Sequence, residues 1–136
     1  MRRISVVLAL FGVVACTNPE APGSVVGTYS LASCGIGSGR TPPPCTLALG
    51  SDSLRVQAAV LTVKSDSTWT GLWTESVWSS GAWAIDSTYT MWGAYVAVPG
   101  NDSTYLFGSP PSGDSPVVVV IQGHRLEWGS LWTFVR

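Results

Sequence analysis

The segment SDSTWTGLWTESVW, residues 65–78, combines a turn pattern with a strand pattern, and together they decide the fold. Its turn pattern, Asp-Ser-Thr-aromatic, returns at Asp86 (DSTYTMWG) and at Asp102 (DSTYLFG). An aspartate carboxylate accepts a hydrogen bond from the backbone N–H two residues later, which forms an Asx-turn. The β-branched threonine then suits the start of a strand. We interpret each copy as a turn that leads into a strand whose first aromatic side chain packs inward or across the strand pair.

The three aspartates of these copies, Asp66, Asp86 and Asp102, also raise the possibility of a metal site, for example for calcium. Alternate turns of a meander lie at opposite ends of the sheet. With the strands assigned below, Asp66 and Asp86 share one end and Asp102 lies at the other. We therefore predict turns and no metal site.

The rest of residues 25–136 has the same β-rich character. Strong helix formers are sparse, Ser, Thr, Val, Trp and Tyr dominate, and turn residues interrupt the apolar runs roughly every eight to twelve positions. We predict about eight strands, which are VVGTYSL, SLRVQAAVLTVK, TWTGLWTESVW, GAWAI, TYTMWGAYVAV, TYLFG, VVVVIQ and RLEWGSLWTFVR.

The alternation of apolar side chains gives expectations for three of these runs. In SLRVQAAVLTVK, residues 53–64, the alternation changes phase at Ala58 and Ala59, which predicts a bulge or a bend. In RLEWGSLWTFVR, residues 125–136, the large apolar side chains share one face. VVVVIQ, residues 117–122, is apolar on both faces, as expected for a covered strand.

The links between the runs are mostly short, which decides the topology. Consecutive strands with short links pair as antiparallel neighbours. Closure of the sheet removes its exposed edges. We therefore predict an all-β domain formed by a single antiparallel up-and-down β-barrel of about eight strands. A β-sandwich is the alternative, which we favour less because few links are long enough for Greek-key crossings.

Residues 1–15 have the pattern of a signal peptide. A short basic start is followed by an uncharged apolar run from Ile4 to Ala15. A membrane-spanning helix needs roughly 20 residues, whereas the core of a signal peptide needs about 7–15. We assign residues 16–24, which are polar and rich in Pro and Gly, to a tether, and residues 25–136 to the folded domain.

The stretch VVAC, Val13 to Cys16, resembles the lipobox of bacterial lipoproteins. The resemblance implies cleavage before Cys16 and acyl chains on its sulfur and on its new amine, which would give a stable membrane anchor. Thr17, in place of the Asp typical of inner-membrane retention, implies the outer membrane. The expected location is thus the cell envelope, on the periplasmic or the surface side. Ordinary secretion with an incidental cysteine is the alternative.

The other two cysteines, Cys34 and Cys45, frame the segment CGIGSGRTPPPC. An exported chain enters an oxidising compartment, where an even pair of cysteines is most simply a disulfide. A redox site is less favoured because the spacing is not Cys-x-x-Cys, and a metal site because no further ligands lie nearby. We predict a structural disulfide.

The layout as a whole resembles the lipocalin-like lipoproteins of bacteria. GTYSL, Gly27 to Leu31, is similar to the opening of the first lipocalin strand, with Tyr29 where the family has Trp. The final TFVR is similar to the last strand of such domains, where an arginine packs over that aromatic side chain. The resemblance implies a lipocalin-like barrel in which Arg136 packs over Tyr29, and a ligand cavity.

Seven tryptophans are the least ordinary feature of the domain. Because Trp69 and Trp73 share one parity and Trp78 has the other, at least one of them is expected outside the barrel or at a bend. We consider an aromatic-lined pocket for a small apolar or amphipathic ligand, a barrel interior filled by rings, and an external contact surface for a partner or the membrane interface. The candidate ligand-binding residues are Tyr29, Trp69, Trp73, Trp83, Trp92, Trp128 and Trp132.

Catalytic signals are weak. His124 is the single histidine and lies in a turn pattern, and Glu75 and Glu127 each lie among polar neighbours, which predicts an outward, solvated face. No nucleophile elbow, phosphate loop or zinc signature is present. We expect no enzymatic activity, no cofactor and no metal. Without Arg2 and Arg3, five basic and eight acidic side chains remain, so nucleic acid is not an expected partner.

The sequence thus predicts a lipid-anchored extracytoplasmic domain that binds a small apolar or amphipathic ligand. The alternative is a structural or interaction protein of the envelope with a filled core, whose protein partner the sequence does not identify.

Overall fold

The computed structural model describes residues 25–109 and 114–136, which form ten β-strands and one short 3₁₀ turn, Gly37–Gly39. The predicted signal peptide, Cys16 and the tether lie outside the described residues. The strands are β1 (Gly27–Cys34), β2 (Cys45–Leu49), β3 (Asp52–Val63), β4 (Thr68–Ser79), β5 (Ala82–Trp83), β6 (Ser87–Ala97), β7 (Thr104–Gly108), β8 (Val117–Gln122), β9 (Arg125–Trp128) and β10 (Trp132–Val135).

Eight of these strands close into an antiparallel up-and-down barrel. Each barrel strand pairs with the next one along the chain, and β10 pairs with β1 to close the ring. The two extra strands extend the wall, since β2 pairs with the first half of β3 and β5 with the last residues of β4. The predicted barrel is confirmed. The alternative β-sandwich is wrong because the strands form one closed ring and not two separate sheets.

Two of the predicted strands differ from the structure. GAWAI contributes only the two-residue strand β5, which folds back on Trp78 and Ser79 and takes no part in the ring. RLEWGSLWTFVR is not one strand but two, β9 and β10, because the chain reverses at Gly129, whose φ is +59°. The two differences compensate each other, so that the predicted number of about eight barrel strands still holds.

The aspartate turns change ends as a result. The β3–β4, β6–β7 and β8–β9 turns lie at one end of the barrel, which we call the turn end. Asp66 and Asp102 lie in two of these turns, and Asp86 lies at the opposite end, directly before β6. Our prediction that Asp66 shares an end with Asp86 is therefore wrong, because β5 is not a barrel strand. The carboxylates are nevertheless divided between the two ends.

The predicted Asx-turn is confirmed at Asp66. Its carboxylate accepts hydrogen bonds from the Thr68 hydroxyl (2.5 Å) and from the Thr68 backbone N–H (3.1 Å), and these bonds lower the pKa of Asp66. In the third copy the accepting side chain is Asn101 and not Asp102, since Asn101 Oδ1 lies 3.2 Å from the backbone nitrogen of Ser103. The turn there begins one residue earlier than the pattern suggested.

Strand alternation places side chains inside the barrel largely as predicted. A bulge interrupts the β3–β4 pairing between Val56 and Ala58, at the predicted phase shift. The outer face of β8 differs from the prediction, because Val118 is 51% exposed and no element of the described residues covers it. A continuous apolar run in this strand therefore does not mean that both faces are buried.

The disulfide between Cys34 and Cys45 is present, with a distance of 6.1 Å between the two Cα atoms. It joins the end of β1 to the start of β2. Within the loop that it closes, the Arg40 guanidinium donates hydrogen bonds to the Thr133 hydroxyl and to the Ser130 carbonyl oxygen (3.2 Å). The loop is thus attached to the neighbouring strand β10 as well as closed on itself.

Removing this disulfide is expected to lower the free energy of unfolding by roughly 2–3 kcal/mol, because the unfolded chain gains the entropy of an open loop. The measurement is chemical denaturation of the Cys34→Ser/Cys45→Ser double variant. A reductant should bring the wild-type midpoint down to that of the variant and leave the variant unchanged. Equal midpoints for the oxidised wild type and the variant would contradict a stabilising role.

Candidate functional site

Two groups of aromatic rings fill the barrel interior. In the first, the Trp69 ring lies 4.9 Å from Trp128 and 5.8 Å from Phe107 between centroids. In the second, the Trp73 ring lies 5.2 Å from Trp132 and 5.8 Å from Phe134. The Trp69–Phe107 contact is tilted and the other three are edge-to-face, a geometry that stabilises beyond the burial of area. Four of the predicted ligand-binding tryptophans therefore lie together inside the barrel, where they contact other rings.

The turn end is sealed around Tyr29, which is fully buried. The Arg136 guanidinium carbon lies 5.4 Å from the centre of the Tyr29 ring, so that the contact predicted from the lipocalin resemblance is confirmed. Arg136 also donates hydrogen bonds to the carbonyl oxygens of Val26 (2.7 Å) and Gly123 (3.2 Å). The Tyr29 hydroxyl donates to the Val25 carbonyl oxygen (2.9 Å), and burial raises the pKa of Tyr29. These bonds tie the first strand to the C-terminal residue at this end.

Trp83 and Trp92, the other two candidate tryptophans, lie outside the barrel. Trp92 is 53% exposed and lies on the outer face of β6. Trp83 packs edge-on against Trp78, with 5.6 Å between ring centres, and its ring lies 4.2 Å from the Arg55 guanidinium carbon. The structure therefore does not bring these two residues to the interior with the other candidates. The prediction that at least one of Trp69, Trp73 and Trp78 lies outside the barrel or at a bend is confirmed by Trp78, which is 37% exposed.

The opposite end of the barrel carries an inward-facing polar pair. Tyr89 lies directly across from the buried Trp73, and Glu75 lies directly across from the buried Val56. Directly opposed residues share a face of the sheet, so both side chains point to the inside. The Tyr89 hydroxyl donates a hydrogen bond of 3.1 Å to Glu75 Oε2. The predicted outward face of Glu75 is therefore wrong.

Burial and the neighbouring Glu75 charge raise the pKa of Tyr89 to about 12. The phenol consequently keeps its proton at neutral pH and remains a hydrogen-bond donor to the carboxylate. Tyr89 is nevertheless 39% exposed, so the pair is accessible from the solvent. Glu127, by contrast, lies on the outer wall and forms an ion pair of 2.6 Å with Arg125. The two glutamates lie on opposite faces of the wall, so the structure does not bring their carboxylates together.

The accessibility of the polar pair follows from unequal strand lengths. Residues 87–93 of β6 pair with β4 alone, because the β6–β7 pairing covers only residues 94–97. At this end of the barrel the wall therefore extends further along β3, β4 and β6 than along β7 and β8. Below the polar pair, Trp73 and its ring partner Trp132 form a floor, with Met91 one inward position below Tyr89 on β6. We call this group of residues, Glu75, Tyr89, Met91, Trp73 and Trp132, the mouth.

The mouth lies at an acidic end of the barrel. Among the described residues, four carboxylates and two guanidinium groups belong to this end by topology, and they are Asp52, Glu75, Asp86, Asp114, Arg40 and Arg55.

The described residues contain no group of three or more His, Cys, Asp or Glu side chains that could hold a metal ion. His124 is exposed in the β8–β9 turn, at the other end. The described ranges contain no helix that is long and apolar enough to span a membrane.

Sequence reasoning missed Tyr89 as a site residue. The signal was present, because Tyr89 has the same parity as Met91, Gly93 and Tyr95 on a strand whose other face is polar or exposed. The unequal strand lengths that open the mouth have no such local signal.

Comparison with known proteins adds no assignment to this geometry. The chain matches no protein-family model, and comparisons with curated proteins and with solved structures give no match. The interpretation of the mouth therefore depends on its own residues.

Proposed function

We propose that this domain binds a small apolar or amphipathic molecule at the mouth. Ligand sites are mostly apolar, with a few polar groups that fix the orientation of the ligand. The apolar surface of the mouth comes from the half-buried Trp132 and Met91, which lie against the buried Trp73, and the polar groups come from the Glu75–Tyr89 pair. The observation that carries the proposal is this hydrogen-bonded pair, which faces inward above aromatic rings and is still accessible.

The proposal extends to the cell envelope. A lipocalin-like lipoprotein acylated at Cys16 would be held at the outer membrane by its N-terminus. The domain begins at the turn end, where Gly27 pairs with Val63, and the mouth lies at the opposite end. Residues 17–24, even when fully extended, reach about 30 Å. The turn end would then face the bilayer and the mouth would face away from it, toward a soluble ligand or a donor protein.

The neutral probe 1-octanol tests the site, by calorimetric titration of the full chain. We expect binding to the wild type and its loss in Met91→Arg, because this substitution puts a charge on the apolar floor of the mouth. Val96→Arg is the matched control, since Val96 lies on the outer face of the same strand. Melting curves show whether each variant is folded.

If 1-octanol does not bind, or if a folded Met91→Arg variant binds it as well as the wild type does, the mouth is not the site. Native mass spectrometry of the full chain purified from its membranes supplies an independent readout. A small molecule that is released on unfolding, and that is missing from Met91→Arg but present in Val96→Arg, supports the proposal.

A structural role in the envelope is the second candidate function. It is favoured by the close contacts between rings inside the barrel, and by an outer apolar strip on three neighbouring strands formed by Val96, Leu106 and Val118. A filled core with a contact surface outside predicts that apolar probes fail to bind. It also predicts that serine substitutions at Val96 and Val118 weaken association with the envelope fraction while Met91→Arg does not.

A further inference from the structure

We propose that the mouth selects positively charged amphiphiles, with the cationic head at the Glu75 carboxylate and the apolar tail on the floor formed by Trp73 and Trp132. This inference rests on the proposed function, because it names the chemical class of the ligand that the same site binds. It depends on three features of the mouth, which are an uncompensated carboxylate, a phenol that orients it, and the charge of this end of the barrel.

The first feature is that Glu75 has no cationic partner in the described residues. Its side chain is half-buried, and no described Lys, Arg or His forms an ion pair with it. Arg55 is the nearest basic residue along the neighbouring strand, but it is opposite Ser76 on the outer wall, beside the Trp83 ring. A partly desolvated carboxylate without a counter-charge is unfavourable. A ligand cation would supply the missing charge.

The second feature is the orientation of the carboxylate. Tyr89 donates to Oε2, and no described group donates a hydrogen bond to Oε1. A single donor fixes the carboxylate and leaves acceptor capacity for the ligand. The Tyr89 ring is next to Trp73 across the strand pair. Cations are attracted to the faces of such rings, so a quaternary ammonium group, which donates no hydrogen bond, also fits this site.

The third feature is the charge of the whole mouth end. Of the two guanidinium groups described at this end, Arg40 is hydrogen-bonded to Thr133 and Ser130 of the β9–β10 region, and Arg55 lies on the outer wall. Asp52, Glu75 and Asp86 therefore outnumber the basic groups that the structure describes at this end, and neither of those basic groups faces the mouth. A negative potential attracts cations and repels anions on their way to the site.

The experiment compares three probes with an eight-carbon chain, octyltrimethylammonium, 1-octanol and octanoate (whose eighth carbon is the carboxylate), by calorimetric titration of the full chain. In the wild type we expect the cation to bind about tenfold more tightly than 1-octanol, and octanoate to bind most weakly. Glu75→Gln should weaken binding of the cation about tenfold. It should weaken binding of 1-octanol far less, because the glutamine amide lacks the charge but can still hydrogen-bond the hydroxyl of 1-octanol. Tyr89→Phe should weaken the cation less, because the carboxylate stays. Glu127→Gln, which removes the same charge from the outer wall, should leave the affinities of all three probes unchanged.

The outcomes separate this inference from the proposed function. If octanoate binds as tightly as the cation, or if Glu75→Gln keeps the preference for the cation, the charge selectivity is wrong while 1-octanol binding still supports a ligand site. If none of the three probes binds, the proposed function and this inference both fail. If Glu75→Gln does not fold, the charge selectivity is tested by the ranking of the three probes on the wild type and by the salt dependence of their binding. Added NaCl should weaken the binding of the cation and not that of 1-octanol, because salt screens the attraction between charges.

Discussion

Alanine at position 93 is expected to unfold the barrel or to lower its melting temperature by more than about 10 °C, which corresponds to at least about 3 kcal/mol. Gly93 faces inward, directly opposite Trp69. A Cβ atom there would lie 1.7 Å from the Gly108 carbonyl oxygen and 2.9 Å from Trp69 Nε1. That oxygen accepts the hydrogen bond from Trp69 Nε1 (3.1 Å). Alanine therefore forces β7 away from β6 and breaks a buried hydrogen bond.

Gly71→Ala is the matched control for this prediction, because Gly71 is also an inward-facing glycine on a neighbouring strand. Its added Cβ would lie 2.9 Å from Leu61 Cδ2, at the end of a side chain that can move. We expect a loss of about 1 kcal/mol, as for mild overpacking. If thermal unfolding of the two variants gives the same midpoint, the close approach of β7 to β6 is not what constrains position 93.

The fold was predictable from the sequence because three local signals agree. The alternation of apolar side chains indicates which residues point inward, the phase shift near Ala58 indicates the bulge, and the short links require antiparallel neighbours. The contact between Tyr29 and Arg136 needed the family resemblance as well, since nothing local joins the two ends of the domain.

The remaining features depend on pairing between distant segments, which no local pattern encodes. β5 looked like a barrel strand because its composition is strand-like, but it has only the end of β4 as a partner. Glu75 looked solvated because Thr74 and Ser76 flank it, although its parity with Trp73 pointed inward. Whether an inward position is core or mouth depends on where the next strand ends. Glu75 and Tyr89 are accessible because β7 does not extend alongside the start of β6.

Trp69→Ala is expected to cost about 3–5 kcal/mol, because it removes the largest side chain of the fully buried set and leaves a cavity. Trp69 is 2% exposed, contacts the rings of Phe107 and Trp128, and satisfies the Gly108 carbonyl oxygen. Since small domains have only about 5–15 kcal/mol in total, the variant should be marginally folded. Urea denaturation gives the free energy of unfolding. Trp69→Phe should recover part of the loss but not the hydrogen bond.

Trp92→Ala is the control for this prediction, because Trp92 is the same residue type on the outer face of the strand that pairs with Trp69's strand. We expect a change within about 0.5 kcal/mol. A cost as large as that of Trp69→Ala would mean that the outer face is covered in solution. A double-mutant cycle of Gly93→Ala with the milder Trp69→Phe then separates the two causes of the Gly93→Ala effect. Trp69→Phe removes the contact with Nε1 but not the one with the Gly108 oxygen, so most of the cost at position 93 should persist.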